Sequence, residues 1–60
     1  MDDKLLTMQE LADYLQISKG GLYQLRYRSS APPAIKIAGK LRFRESEVIK
    51  WIDANTERVE

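Results

Sequence analysis

Lys19, Arg26, Arg28, Lys36, Lys40, Arg42 and Arg44 lie in a stretch, from Tyr14 to Arg44, that contains no aspartate or glutamate. Lysines and arginines release condensed counterions when they meet phosphates, so a grouped set of them is a candidate surface for a polyanion. Within that stretch, S-K-G-G-L-Y-Q-L-R-Y-R from Ser18 to Arg28 adds a second kind of chemistry. Lys19 and Gln24 have the donors and acceptors to reach guanine or adenine edges, and Tyr23 and Tyr27 can pack on sugar or hydrogen-bond a phosphate. Two plainer readings compete: a solvated basic surface, and tyrosines that are half-buried rings of a small domain.

The acids Asp2, Asp3, Glu10, Asp13, Glu45, Glu47, Asp53, Glu57 and Glu60 all fall outside the basic stretch, so a net charge of +1 conceals a basic middle. The chain has neither cysteine nor histidine, which removes disulfides, thiolate metal sites and the commonest general base. With 60 residues, a domain buries only about 60% of the surface its unfolded chain exposes, which leaves no room for an enclosed active site. The carboxylates have no acid–base partner beside the basic face, so catalysis is not expected, and neither is a cofactor, a metal or a small-molecule ligand. No apolar run approaches the roughly 20 residues needed to span a bilayer, which predicts a cytoplasmic protein without a membrane partner.

Side chains at these positions need elements to hold them. Thr7 and Glu10 form a capping box that starts a helix over residues 8–15, and Leu6 and Leu11 sit where a hydrophobic staple belongs. Met8, Leu11, Ala12 and Leu15 make its apolar stripe. After the short turn Gln16-Ile17, Ser18 caps a second helix that runs to Tyr27 or Arg28, and Ser29-Ser30-Ala31-Pro32-Pro33 stops it. Ala12 lets the two helices approach closely, with Ile17, Leu22 and Leu25 closing the contact, which is helix-turn-helix spacing.

Ala34-Ile35-Lys36-Ile37 and Leu41-Arg42-Phe43 alternate apolar and basic residues and predict a hairpin. Placing Ile35, Ile37, Leu41 and Phe43 on one face pairs Ile37 with Leu41 and leaves a three-residue loop, Ala38 to Lys40, with Lys36 and Arg42 on the outer face. Glu45, Ser46 and Glu47 suit the first turn of a third helix. Val48, Trp51 and Ile52 give that helix a core stripe, with Trp51 as the main core aromatic. The expected architecture is α+β and mostly helical: a winged helix-turn-helix with three short helices and a two-stranded β-hairpin wing between helices two and three. It forms one domain over residues 1–60, with its core in 5–52 and a frayed tail over 53–60.

The blocks L-L-T-M-Q-E-L-A-D-Y-L, I-S-K-G-G-L-Y-Q-L and A-I-K-I-A-G-K-L-R-F-R-E-S-E-V-I-K-W-I, in this order and at these intervals, closely resemble the excisionase-like small winged helix-turn-helix domains, relatives of the MerR DNA-binding domain. The resemblance covers residues 5–52. It implies double-stranded DNA binding with helix 18–28 in the major groove and the wing, residues 34–43, on the backbone or minor groove. The role implied is phage recombination directionality or transcriptional regulation. For an excisionase the protein partner is an integrase, and a module this small also calls for further copies on adjacent sites.

On the family pattern Ser18, Lys19, Gly20, Tyr23, Gln24 and Tyr27 face the groove, while Lys40 and Arg42 belong to the wing. The phosphate-contacting group is Arg26, Arg28, Lys36, Lys40, Arg42 and Arg44. Leu11, Ala12, Ile17, Leu22 and Leu25 match core positions. Two departures stand out: Gln16 where relatives carry a turn glycine, and Gly20-Gly21 where relatives carry larger polar residues. A competing class is a protein-interaction adaptor that uses the same basic face on an acidic partner.

Overall fold

The computed structural model describes residues 3–57. Its elements run β1 (Leu5–Leu6), α1 (Met8–Leu15), α2 (Lys19–Tyr27), β2 (Ile35–Ile37), β3 (Lys40–Arg44) and α3 (Glu45–Ala54). Three helices and a small antiparallel sheet make it α+β, consistent with a small winged helix-turn-helix.

Both helices of the helix-turn-helix start where their caps dictate. Thr7 Oγ1 accepts from the Glu10 N–H at 3.0 Å, and the Thr7 N–H donates to Glu10 Oε1 at 2.8 Å, so the capping box is complete. Ser18 Oγ accepts from the Gly21 N–H at 2.9 Å and opens α2. Between them Gln16 adopts the left-handed conformation (φ 60°, ψ 40°), a geometry that costs a non-glycine residue about 1 kcal/mol or more. The Ile17 N–H then donates to the Ala12 carbonyl at 3.0 Å and closes the turn. At the other end of α2, Ser29 is again left-handed (φ 57°), and the Ser30 N–H reaches the Leu25 carbonyl at 2.8 Å, which satisfies an end carbonyl before the prolines begin.

The core gathers Leu6, Met8, Leu11, Ala12, Leu22, Phe43 and Val48, with Leu15, Leu25, Ala31 and Ala34 packed against it. Pro32 is fully buried as well. Several expected core residues are not in this set. Ile17 is 37% exposed, because the left-handed turn at Gln16 carries it off the apolar stripe. Trp51 is only half-buried, and its ring sits at the margin with its N–H donating to the Ser30 carbonyl. The central aromatic is Phe43, which the sheet carries inward. Ile52 of the expected α3 stripe is exposed too, leaving Val48 as that helix's buried anchor.

The hairpin register differs from the expected one. Ile37 pairs with Lys40, Lys36 with Leu41 and Ile35 with Arg42, so the loop is the two-residue turn Ala38-Gly39. Both turn residues have positive φ (51° and 77°), the conformation whose twist matches that of the flanking strands. Paired residues share a face and successive residues alternate. Leu41 and Phe43 therefore face one way with Lys36, while Lys40, Arg42, Ile35 and Ile37 face the other. Lys36 and Arg42 do not share a face, and Ile37 is 46% exposed. Full burial of Phe43 beside a half-buried Leu41, with favourable turn twist, outweighs the four-residue apolar face that the longer loop would have supplied.

The sheet also has a third strand. Leu5 and Leu6 pair with Arg44 and Phe43, giving the order β1-β3-β2. The same N-terminal segment holds α3. The Glu45 N–H donates to the Lys4 carbonyl at 2.9 Å, and the Asp3 carboxylate accepts from the Ser46 N–H (3.0 Å) and the Ser46 hydroxyl (2.7 Å). Arg44 itself offers no side-chain cap, so Asp3 does that work from 43 residues away. At the far end α3 includes Asp53 and Ala54, expected in a frayed tail. Asn55 Nδ2 and Thr56 Oγ1 bond back to the Trp51 and Ile52 carbonyls at 2.8 and 3.0 Å. Residues 58–60 of that expected tail lie outside the described ones.

Candidate nucleic-acid interface

Helix α2 exposes one stripe that the core does not use. Leu22 turns inward and is buried, Leu25 packs on the core, and Gly20, Tyr23, Gln24 and Tyr27 line a depression of about 520 Å³ on the solvent side. Their spacing, i, i+3, i+4 and i+7, places them on a single helix face. Tyr23 is 54% and Tyr27 92% exposed, so the reading of these rings as half-buried packing does not hold for Tyr27.

Neither glycine on this helix is required by the fold. Gly20 and Gly21 have no positive φ. A Cβ on Gly20 would meet only Ser18 Oγ, at 4.0 Å, and one on Gly21 would stand 3.2 Å from the same oxygen. Ser18 itself is occupied as the cap of α2.

A second groove, of about 320 Å³, adjoins the first through Tyr23. Thr7, Met8 and Gln9 at the start of α1, Lys19 and Tyr23 on α2, and Lys40, Leu41 and Arg42 on β3 line it. Two elements distant in sequence, α2 and β3, thus bring Lys19, Lys40 and Arg42 to one groove. Arg42 is half-buried, and its Nη1 donates to the Leu41 carbonyl at 2.7 Å, which holds one tip of the guanidinium. Glu10 is the carboxylate whose charge Arg42 feels. The Thr7 N–H holds that carboxyl below its ordinary range, with smaller contributions from the Thr7 hydroxyl, Lys4 and Arg42.

Among the described residues the one ion pair is Lys50–Glu47 on α3, at 3.7 Å. None of the basic residues from Lys19 to Arg44 is tied to a described acid at that range. Arg26, Arg28, Lys36 and Arg44 line neither groove. Arg26 is half-buried and Arg28 exposed beyond the end of α2. Lys36 is exposed on β2, and Arg44 pairs with Leu5 and leads into α3 beside Asp3. Thr7, Met8, Gln9 and Leu41 belong to the groove although their types gave no hint of it. The capping box marks where α1 begins, but no local signal says that the wing will lie against that point.

The architecture agrees with the comparison of the sequence with protein families. Neither the curated proteins nor the solved structures include a match to this chain. Residues 5–56 match the helix-turn-helix domain, so the chain belongs to that DNA-binding family.

Proposed function

We propose that the domain binds double-stranded DNA by laying α2 in the major groove and the β2–β3 wing against the backbone or minor groove. The observation that carries this reading is the meeting of Lys19, Lys40 and Arg42 beside a solvent-facing stripe of Gly20, Tyr23, Gln24 and Tyr27. Phosphate contacts by the cations set affinity and orientation, and Lys19 and Gln24 supply hydrogen bonds to base edges. Arg26, Arg28, Lys36 and Arg44 add longer-range attraction from outside the two grooves. Gly20, with open space around it, lets the α2 backbone approach the duplex, and the first turn of α2 presents Ser18 and Lys19 to a phosphate.

A single module of this size covers about 600–1,000 Å² of DNA, which suits a protein acting in several copies or with a partner. The role that fits is a phage-type recombination directionality factor, working beside an integrase, or a small transcriptional regulator of the MerR-related winged class. Titration of a random-sequence duplex at increasing salt tests the reading: log K should fall linearly with log salt concentration, with a slope of several units. A protein that ignores duplex DNA and binds an acidic protein instead would overturn it. Integrase-driven excision assays and promoter-reporter assays then separate the two roles.

A further inference from the structure

We propose that Lys19, Lys40 and Arg42 hold one and the same DNA phosphate, in the groove walled by the start of α1, so that three elements share a single anchoring contact. The inference rests on the duplex-binding reading above and says where the strongest backbone contact lies.

The groove brings one cation from the first turn of α2 and two from the strand that follows the wing turn. No acid lines it. Glu10 stands nearest in effect, and its Oε1 accepts from the Thr7 N–H of the capping box instead of pairing with one of these cations. Arg42 spends one nitrogen on the Leu41 carbonyl, which orients the guanidinium and leaves its other N–H groups for a forked contact, the geometry that suits a phosphate. The α1 wall adds to the same sign of potential. The capping box satisfies the amides of Thr7 and Glu10, leaving Met8 and Gln9 at the positive end of the helix without an intrahelical acceptor.

Cations gathered this way repel one another in the free protein, and among the described residues none of them is in a close ion pair with an acid. A bound phosphodiester, with its single negative charge, would offset part of that repulsion. Tyr23 lines this groove and the α2 stripe alike, so a phosphate seated here also fixes how Gln24 and Tyr27 meet the base pairs alongside.

The test is a short duplex carrying one neutral methylphosphonate at successive positions, bound by the wild-type protein and by Lys19→Gln, Lys40→Gln, Arg42→Gln and the Lys19→Gln/Arg42→Gln double variant. One position should weaken the wild type about tenfold or more. At that position the variants, already weak, should lose little further. The salt slope of the double variant should drop by about one unit and not by two. Arg42→Lys guards against misfolding of the half-buried site, because it keeps the charge and should keep the slope. Lys50→Gln, on the far helix, should reproduce the wild-type profile.

Losses that add, or that map to different phosphates for different variants, overturn the shared contact while duplex binding stands. A wild-type protein with no salt-dependent affinity for the duplex overturns the duplex reading, and this inference falls with it.

Discussion

The indole Nε1 of Trp51 donates to the carbonyl oxygen of Ser30 at 2.9 Å, joining α3 to the segment that follows α2. A hydrogen bond of this kind contributes about 0.5–1.5 kcal/mol, and its partner carbonyl stays near water when it is lost. Trp51→Phe should therefore lower stability by about 1 kcal/mol, read as a fall in the urea midpoint with an unchanged m-value. Phe43→Ala should cost about 3–5 kcal/mol, enough to unfold a domain of this size, because Phe43 and not Trp51 fills the centre. Equal losses at the two positions would contradict this division of roles.

The wing turn offers a gain. Ala38 is held at φ 51° with Gly39 at 77°, a pair of conformations that asparagine followed by glycine adopts with less strain. Ala38→Asn should raise stability by roughly 0.5–1 kcal/mol in thermal unfolding, and Ala38→Val should lower it. If the two variants melt alike, the turn is not in the left-handed form.

Gly20 and Gly21 should respond differently to alanine. Gly20→Ala has open space and should stabilise α2 by about 0.5–1 kcal/mol. Gly21→Ala places a methyl 3.2 Å from the capping Ser18 oxygen, so part of that gain is lost to the displaced cap. On DNA the order of interest reverses: Gly20→Ala should weaken duplex binding if backbone approach matters, and tighter binding by the more stable helix would sink that role for the glycine.

Acid should loosen the fold in a defined direction. The Ser46 hydroxyl and N–H hold the Asp3 carboxyl below its ordinary value, and the Thr7 N–H does the same for Glu10. A carboxylate whose folded-state pKa is depressed lends stability that is fully present above its unfolded value and is lost as pH falls toward the folded one. The urea midpoint should be flat on the neutral side and decline through the carboxylate range. Asp3→Asn should make that decline shallower; a decline parallel to the wild type would show that the clasp on α3 carries no proton linkage.

What could be read from residue types was whatever is decided within a few positions. Thr7 with Glu10, and Ser18 with the residues after it, mark their helices because a cap and its helix are adjacent in sequence, and both helices begin where these residues put them. The hairpin was legible as two strands but not in register. Ala38 carries no turn signal of its own, and the alternation of Ile35, Ile37, Leu41 and Phe43 favours a loop that the sheet does not adopt. Leu5 and Leu6 are too few to show a period, so β1 was invisible until its partners in β3 were in place. The α2 stripe followed from helical phase alone. That Lys19 would meet Lys40 and Arg42 beside Met8 and Gln9 depends on how the wing folds back, which no local pattern contains.

The reach from Asp3 to Ser46, together with the pairing of β1 with the end of β3, sets an order of events during synthesis. A nascent chain that has released residues as far as Pro33 has the residues of α1, α2 and their caps, yet β1 has no strand to join and the groove lacks one of its walls. Local helices form within microseconds, far faster than residues are added at about 5–20 per second, so the helical pair waits for the wing. Only when Phe43, Arg44 and Ser46 have emerged can the two ends of the domain be drawn together. The surface proposed for DNA is thus incomplete until the wing has emerged, and a chain ended before the wing would display α2 and Lys19 without Lys40 and Arg42.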